Sequence, residues 1–131
     1  MIVCLFVFTL EVNAQPEQTK NLKSLIIQFN KDQSIKRIEA AFTNALTLDS
    51  LVYIKNELKI KGITVNYKKM EFDGNNHLLN IDCEVNCNDG YSGSFAIGLL
   101  NEQKENIRFG FYRDYSKNSR NPFGTGRIDK K

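Results

Sequence analysis

The chain has 131 residues, of which 41% are hydrophobic and 25% charged, and its formal net charge is +3. Because domains typically span about 100 to 200 residues, this length and composition indicate one ordinary globular domain and exclude a second hydrophobic core. The basic excess is confined to the end of the chain: residues 112–131 hold 6 Lys and Arg against 2 Asp and Glu, whereas residues 15–111 hold 12 basic and 12 acidic residues.

The first segment of the chain, MIVCLFVFTLEVNAQ, is uncharged and mostly apolar over residues 2–10. An apolar run followed by a small residue such as Ala14 is typical of a secretory signal, here cleaved before Gln15. Lys or Arg normally precedes the run and none does here, so a buried first strand is the alternative. A membrane span needs about 20 apolar residues, and Glu11 interrupts this run. We expect residues 1–14 to be a signal peptide, and the protein to be periplasmic or secreted.

Residues 15–115 form the predicted domain, which begins with two apolar segments. We interpret LKSLIIQF at 22–29 and SIKRIEAAFT at 34–43 as strands joined through NKDQ. The first segment has an alternative interpretation as a helix, since its apolar residues also recur at intervals of three and four.

The segment TLDSLVYIKNELKIKG, residues 47–62, predicts an amphipathic helix over 47–61. Its apolar residues recur three and four apart and should form one buried face. They are Leu48, Leu51, Ile54 and Leu58. Thr47 can cap the first turn through its hydroxyl, and Gly62 can adopt the left-handed conformation that ends a helix.

After Gly62 the apolar residues alternate with polar ones, which predicts strands with one buried face. The turn sequences DGNN at 73–76 and NDG at 88–90 divide residues 63–99 into an antiparallel three-stranded meander. Gly93 in the third strand suggests a bulge or a close backbone approach. The segment NIRFGFYRDY, residues 106–115, predicts a last strand.

Cys83 and Cys87 have the same parity in the second strand of the meander. Four residues of strand separate their α-carbons by roughly 13 Å, whereas a disulfide needs about 4.4 to 6.8 Å. We favour a role as small buried hydrophobes, with an intermolecular disulfide or a bridge across a distorted strand as the alternative. A zinc site lacks ligands, because His77 is the only histidine in the chain. No metal or other cofactor is expected.

Two carboxylates, Asp82 and Glu84, project from the polar face of the same strand about 7 Å apart, a spacing compatible with glycosidase chemistry. Alternating polar residues on an exposed antiparallel sheet give the same pattern. Residues 116–131, rich in Asn, Ser, Gly and Lys, predict a basic flexible tail. Aromatic residues among cations at the chain end could bind an anionic partner or could simply be a solubilising end.

The segment from 46 to 97 carries a T-x-x-x-L helix start, a K-x-x-G-I exit and a closing DG-x-SGS. In these features it resembles a small domain of exported Bacteroidota proteins that is appended to antirepressor-type, β-lactam-sensor-like membrane zinc peptidases. The zinc-peptidase helix motif is not in this sequence, so the resemblance does not imply peptidase activity, and it implies no defined role for the domain.

The sequence therefore predicts an α+β domain in which one amphipathic helix packs on an antiparallel sheet of four to six strands. The first functional hypothesis is a non-catalytic interaction module that binds an unknown protein, peptide or anionic glycan. Its anchors would be aromatic and cationic residues at the end of the last strand. These are Phe111, Tyr112, Arg113 and Tyr115. Nucleic acid is not an expected partner of an exported protein. The alternative is a small hydrolase that uses Asp82 or Glu84 with His77.

Overall fold

The computed structural model of the chain describes residues 24–104 and 107–128. The predicted signal peptide at 1–14 lies outside these residues. One α-helix is described, α1, Leu48–Ile60, together with a short 3-10 helix, Leu100–Glu102. The described strands are β1 (Leu25–Phe29), β2 (Ile35–Ala41), β3 (Thr64–Phe72), β4 (Leu78–Asn86), β5 (Ser92–Ile97), β6 (Phe109–Asp114) and β7 (Phe123–Arg127).

The strands form two antiparallel sheets around one hydrophobic core. The four-stranded sheet has the order β1-β2-β6-β7, and the three-stranded sheet has the order β3-β4-β5. The predicted α+β class, with a helix packed on antiparallel strands, is confirmed. The strands divide between two sheets because β6 pairs with β2, leaving the meander as a sheet of its own.

The first two segments form a β-hairpin, as we favoured, and the helical alternative for residues 25–29 is wrong. The hairpin loop is closed by a 2.8 Å hydrogen bond from the Asn30 N–H to the Ser34 carbonyl. Pairing with β2 satisfies one edge of β1, and this tertiary pairing overrides the helical spacing of the apolar residues. On β2, Ile38 and Ala40 are fully buried and set the face that the sheet turns towards the core.

The helix α1 begins and ends as predicted. A capping box joins Thr47 and Ser50, with both the Ser50 N–H to Thr47 Oγ1 and the Thr47 N–H to Ser50 Oγ distances at 3.3 Å. Gly62 follows the helix with a φ of 93°. Leu48, predicted to be buried, is 51% exposed. At 3.6 residues per turn it lies about 90° away from the centre of the buried stripe.

The buried stripe of α1 packs on the meander, which contributes most of the remaining core. The phenol of Tyr67 on β3 donates a 2.8 Å hydrogen bond to the Leu51 carbonyl and ties the helix to the sheet. The predicted alternation holds for Ile81, Cys83 and Val85 of β4 and for Cys87 directly after it, which are all buried. At the start of β4 the core position belongs to Leu78 instead of Leu79, because the β3–β4 register shifts between Glu71 and Phe72.

The two sheets meet where β5 approaches β7. A Cβ on Gly93 would lie 3.1 Å from the Phe123 ring and 3.2 Å from the Thr125 methyl, so the predicted close approach at Gly93 is confirmed. The loose tail predicted for residues 116–131 is corrected for 123–127, which form β7 against β6. The sequence FGTGR lacks the alternating apolar pattern of a strand. Its strand conformation depends on pairing with β6, which the local pattern does not reveal.

Candidate functional site

The four predicted binding residues belong to two different faces of the four-stranded sheet. Phe111 is fully buried in the core, so it presents no surface to a partner. Arg113 has the same parity and also points inwards, where it is 9% exposed. Tyr112 lies on the outer face, and half-buried Tyr115 follows the end of β6. The structure therefore does not bring these residues together as one binding patch.

Arg113 joins the two sheets. Its Nε and Nη2 atoms lie 2.9 and 2.8 Å from Oδ2 of Asp89, in the turn between β4 and β5. Its Nη1 donates to the carbonyls of Asp114 at 2.6 Å and Pro122 at 3.2 Å. The guanidinium also lies between two rings, 4.5 Å from the Tyr91 centroid and 4.4 Å from the Tyr115 centroid. Such a fully engaged Arg serves the fold and is not available to recognise a ligand.

Tyr112 on the outer face is covered from both sides. A Cβ on its cross-strand neighbour Gly124 would lie 2.5 Å from the Tyr112 ring, so the ring rests on the glycine backbone. On the other side, the Arg37 guanidinium lies 4.2 Å from the ring centroid. The ring is therefore packed between β2 and β7, which leaves it half-buried.

The charges around Tyr112 are paired with one another. Each carboxylate oxygen of Glu39 forms an ion pair with one arginine. Oε1 lies 3.2 Å from Nη2 of Arg37, and Oε2 lies 2.7 Å from Nη2 of Arg108. Arg37 also lies 3.9 Å from Asp114. Two cations and two anions thus balance on this outer face, and an anionic partner would have to displace carboxylates that are already in place.

The outer face of the three-stranded sheet has a different character, and we name it the polar face. It presents hydroxyl, amide and charged side chains from all three strands. The polar face consists of Thr64, Asn66 and Lys68 from β3, Glu84 and Asn86 from β4, and Ser92 and Ser94 from β5. Except for Lys68, these residues line, together with Val85 and Gly93, an open depression of about 490 Å³.

Side chains of the polar face are only loosely bound to one another. Lys68 Nζ and Asn66 Nδ2 each lie 3.5 Å from a carboxylate oxygen of Glu84, at the outer limit of a hydrogen bond. Lys68 and Glu84 are 51% and 52% exposed. Within the described part of the chain, the hydroxyls of Ser92 and Ser94 have no hydrogen-bonding side chain or backbone group as a partner. The face thus offers donors and acceptors that are open to solvent.

The hydrolase hypothesis requires His77 to approach Asp82 or Glu84. His77 belongs to the hairpin before β4, where its backbone N–H donates to Asp73 at 3.1 Å. Along β4, at about 3.3 Å per residue, it lies roughly 16 Å from Asp82 and roughly 23 Å from Glu84. A base and an acid must lie within hydrogen-bond reach of the same substrate atoms, so this arrangement does not form a catalytic pair.

Cys83 and Cys87 are free thiols buried on the core face of the same sheet. Burial raises the pKa of Cys83 to about 12, with the neighbouring carboxylates of Asp82 and Glu84 adding to the effect. Burial also raises the pKa of Cys87 to about 11, and Asp89 adds to it while Arg113 opposes it. Thiols that resist ionisation are poor nucleophiles, so both are structural residues.

The sequence indicated the carboxylates of β4, half-buried Asp82 and exposed Glu84, but not the surface around them. The signal that could have found the polar face is the shared parity of polar residues on β3, β4 and β5, once the two turns align the strands. Within residues 24–104 and 107–128, no cluster of three or more His, Cys, Asp and Glu could hold a metal ion. In the same residues, no helix has the length and apolar character that crossing a membrane requires. No protein-family model, curated protein or solved structure matches the chain.

Proposed function

We propose that this chain is a non-catalytic binding module whose polar face takes a neutral, hydroxyl-rich ligand of the oligosaccharide class. The observation that carries the proposal is the depression on the three-stranded sheet, lined by solvent-open hydroxyl and amide groups. Sugar hydroxyls both donate and accept hydrogen bonds, which suits Ser, Thr, Asn and Glu side chains that can supply the complementary partner. The shallow, open form of the depression suits a ligand that lies along the sheet.

The charge of the polar face favours a neutral ligand over the anionic glycan considered from the sequence. Lys68 is matched by Glu84, which leaves no excess of positive charge on this face. The four-stranded sheet has cations on its outer face, but Glu39 and Asp114 already occupy Arg37 and Arg108. Binding there would cost the existing ion pairs, whereas binding at the polar face would displace water and, at Glu84, two contacts of 3.5 Å.

We also propose that the module acts outside the cytoplasm. The support is the apolar segment at residues 1–14 and the resemblance of residues 46–97 to an exported Bacteroidota domain. Intact-mass analysis of protein recovered from the periplasm or medium of a related host is expected to show a chain that begins at or near Gln15. Uncleaved protein retained in the cytoplasm would contradict export.

The binding proposal is tested by an NMR titration of amide resonances with neutral cello-, malto- and chito-oligosaccharides. Concentrations up to about 10 mM are needed, because an open site without an aromatic platform is expected to bind weakly and a Kd of 1 mM corresponds to only about 4 kcal/mol. At least one series should shift resonances of β3, β4 and β5 in a saturable manner. Asn66→Ala should weaken this binding.

The matched control is Asn56→Ala, which removes the same side chain from the exposed side of α1. It should bind like the parent. If no series shifts the polar face, or if both variants weaken binding equally, the proposal is wrong. Release of shorter oligosaccharides during the titration, abolished by Glu84→Gln, would contradict a non-catalytic module and would instead show hydrolysis that depends on Glu84.

A further inference from the structure

The outer edge of β1 carries backbone groups that have no partner strand among the described residues. Hydrogen bonds from β2 reach the even-numbered residues of this segment, as shown by the 2.7 Å bond from the Ala41 N–H to the Ser24 carbonyl. In an antiparallel pair the remaining residues direct their N–H and C=O groups to the other side. Leu25, Ile27 and Phe29 therefore point their backbone groups away from β2.

The side chains of β1 do nothing to block this edge. The strand LIIQF contains no charge and no proline, and Ile26 and Phe29 are 38% and 53% exposed. β3, at the edge of the other sheet, differs sharply. It carries Lys68 and Lys69, and the residue skipped at its register shift, Lys68, lies on β3 itself. The β1–β2 register also shifts, between Gln28 and Phe29, but there the skipped residue, Lys36, lies on β2 and leaves β1 regular. Charged residues and irregularities are how proteins protect edges from pairing, so β3 is protected and β1 is not.

We propose that the β1 edge pairs with β1 of a second copy of this chain, antiparallel and centred on Ile27. In that register Ile27 lies opposite Ile27 of the partner subunit, and Leu25 lies opposite Phe29 of the partner subunit. These three residues are the ones whose backbone groups point outwards. The register therefore gives their N–H and C=O groups hydrogen-bond partners in both copies. The half-exposed Phe29 side chain then covers the Leu25 position across the interface.

The charge pattern selects a second copy over a different partner. A charge-free, self-complementary strand brings no like charges together when it pairs with itself, and the two-fold axis through Ile27 closes the assembly at two copies. The pairing is limited to five residues because the chain turns after Asn30. Since such a short interface lies below the area of a stable dimer, the dimer should form in a concentration-dependent equilibrium.

Sedimentation over a range of protein concentrations tests the dimer. The parent should shift from monomer to dimer as concentration rises. Ile26→Lys and Phe29→Lys each add a charge to an exposed position of the edge and should raise the dimer dissociation constant by at least about ten-fold. Val52→Lys is the matched control, because Val52 is 49% exposed on α1, and it should dimerise like the parent.

Cross-linking tests the register, in a Cys4→Ser background. In the proposed pairing Ile26 lies opposite Gln28 of the partner subunit, with α-carbons about 4.5 Å apart as in a non-hydrogen-bonded pair, a spacing a disulfide can bridge. Ile26→Cys and Gln28→Cys should therefore cross-link when the two variants are mixed and oxidised. Each variant alone should not, because identical positions are diagonal across the pair, about 8 Å apart.

A protein that stays monomeric up to about 1 mM would overturn the proposal, since a Kd above this value corresponds to less than about 4 kcal/mol of association. Loss of the dimer in Val52→Lys with retention in both β1 variants would move the interface to the helix and would also overturn it. Efficient cross-links of either cysteine variant alone would refute the register. Sugar binding by the polar face has no bearing on these results, because the two surfaces belong to different sheets.

Discussion

Replacing Arg113 by Met should destabilise the domain far more than replacing other partly exposed arginines. Met keeps much of the apolar volume of the Arg stem but removes every hydrogen bond of the guanidinium. Arg113 is 9% exposed and reaches from β6 to Asp89 in the opposite sheet. The substitution therefore removes the polar connection between the two sheets while leaving their hydrophobic contact nearly intact.

The size of the effect follows from the groups that lose a partner. The carbonyls of Asp114 and Pro122 each lose a donor, at a cost of about 1 kcal/mol each. Loss of the cation between Tyr91 and Tyr115 removes about 1 kcal/mol, because Met retains part of the ring contact. Asp89 is 32% exposed, so water screens it and its unpaired charge adds only about 1 kcal/mol. The total is about 4 kcal/mol.

Urea unfolding followed by circular dichroism measures this loss. An unchanged slope of the free energy of unfolding against urea concentration would show that the native state keeps its compactness. The matched control is Arg37→Met on the outer face, where Arg37 is 27% exposed and its ion pairs are partly hydrated. This change should cost less than about 1 kcal/mol. If Arg113→Met costs no more than Arg37→Met, the sheets are not held together by the guanidinium and the reasoning fails.

Two further predictions concern the thiols of Cys83 and Cys87. Both Cys83 and Cys87 should react slowly with a thiol reagent until denaturant is added, because burial raises the pKa of each. Cys87 should react first, because it lies next to the turn after β4, and fast labelling of the native protein would contradict their burial. Because both values exceed the ordinary value of 9.0, the folded state keeps these protons longer, so their contribution to stability is full below pH 9 and is lost as the pH rises towards 11 and 12. The free energy of unfolding should fall less steeply above pH 9 in Cys83→Ala than in the parent, by up to about 1.4 kcal/mol per pH unit.

The elements with a strong local signal are those the sequence predicted well. The helix has a cap at Thr47 and a stop at Gly62, and each of the two turns of the meander contains an Asp-Gly pair. Each element is therefore specified by residues that are close to it in sequence. β7 was missed because its two glycines and Thr125 carry no periodicity. Its pairing depends on β6 and on the contact between Gly93 and Phe123, which neighbouring residues do not encode.

The candidate site was harder to predict for a related reason. The pattern of β6 gave the correct strand but could not show that Arg113, although charged, points inwards with Phe111. The opposing turn supplies Asp89 and Tyr91, and their contacts with the guanidinium offset the free-energy cost of burying the charge of Arg113. The polar face likewise depends on the alignment of three strands, so no single strand identifies it.

The pairing of β2 with β6 bears on how the chain folds. The β1–β2 hairpin and the β3–β4–β5 meander each join strands that are adjacent in sequence, whereas β2 must find a strand that begins at Phe109. Because closing so long a loop is entropically costly, contacts of this kind slow folding and form late. Until β6 has been synthesised, the inner edge of the hairpin has no strand to join, so the four-stranded sheet can be completed only when nearly the whole chain is available.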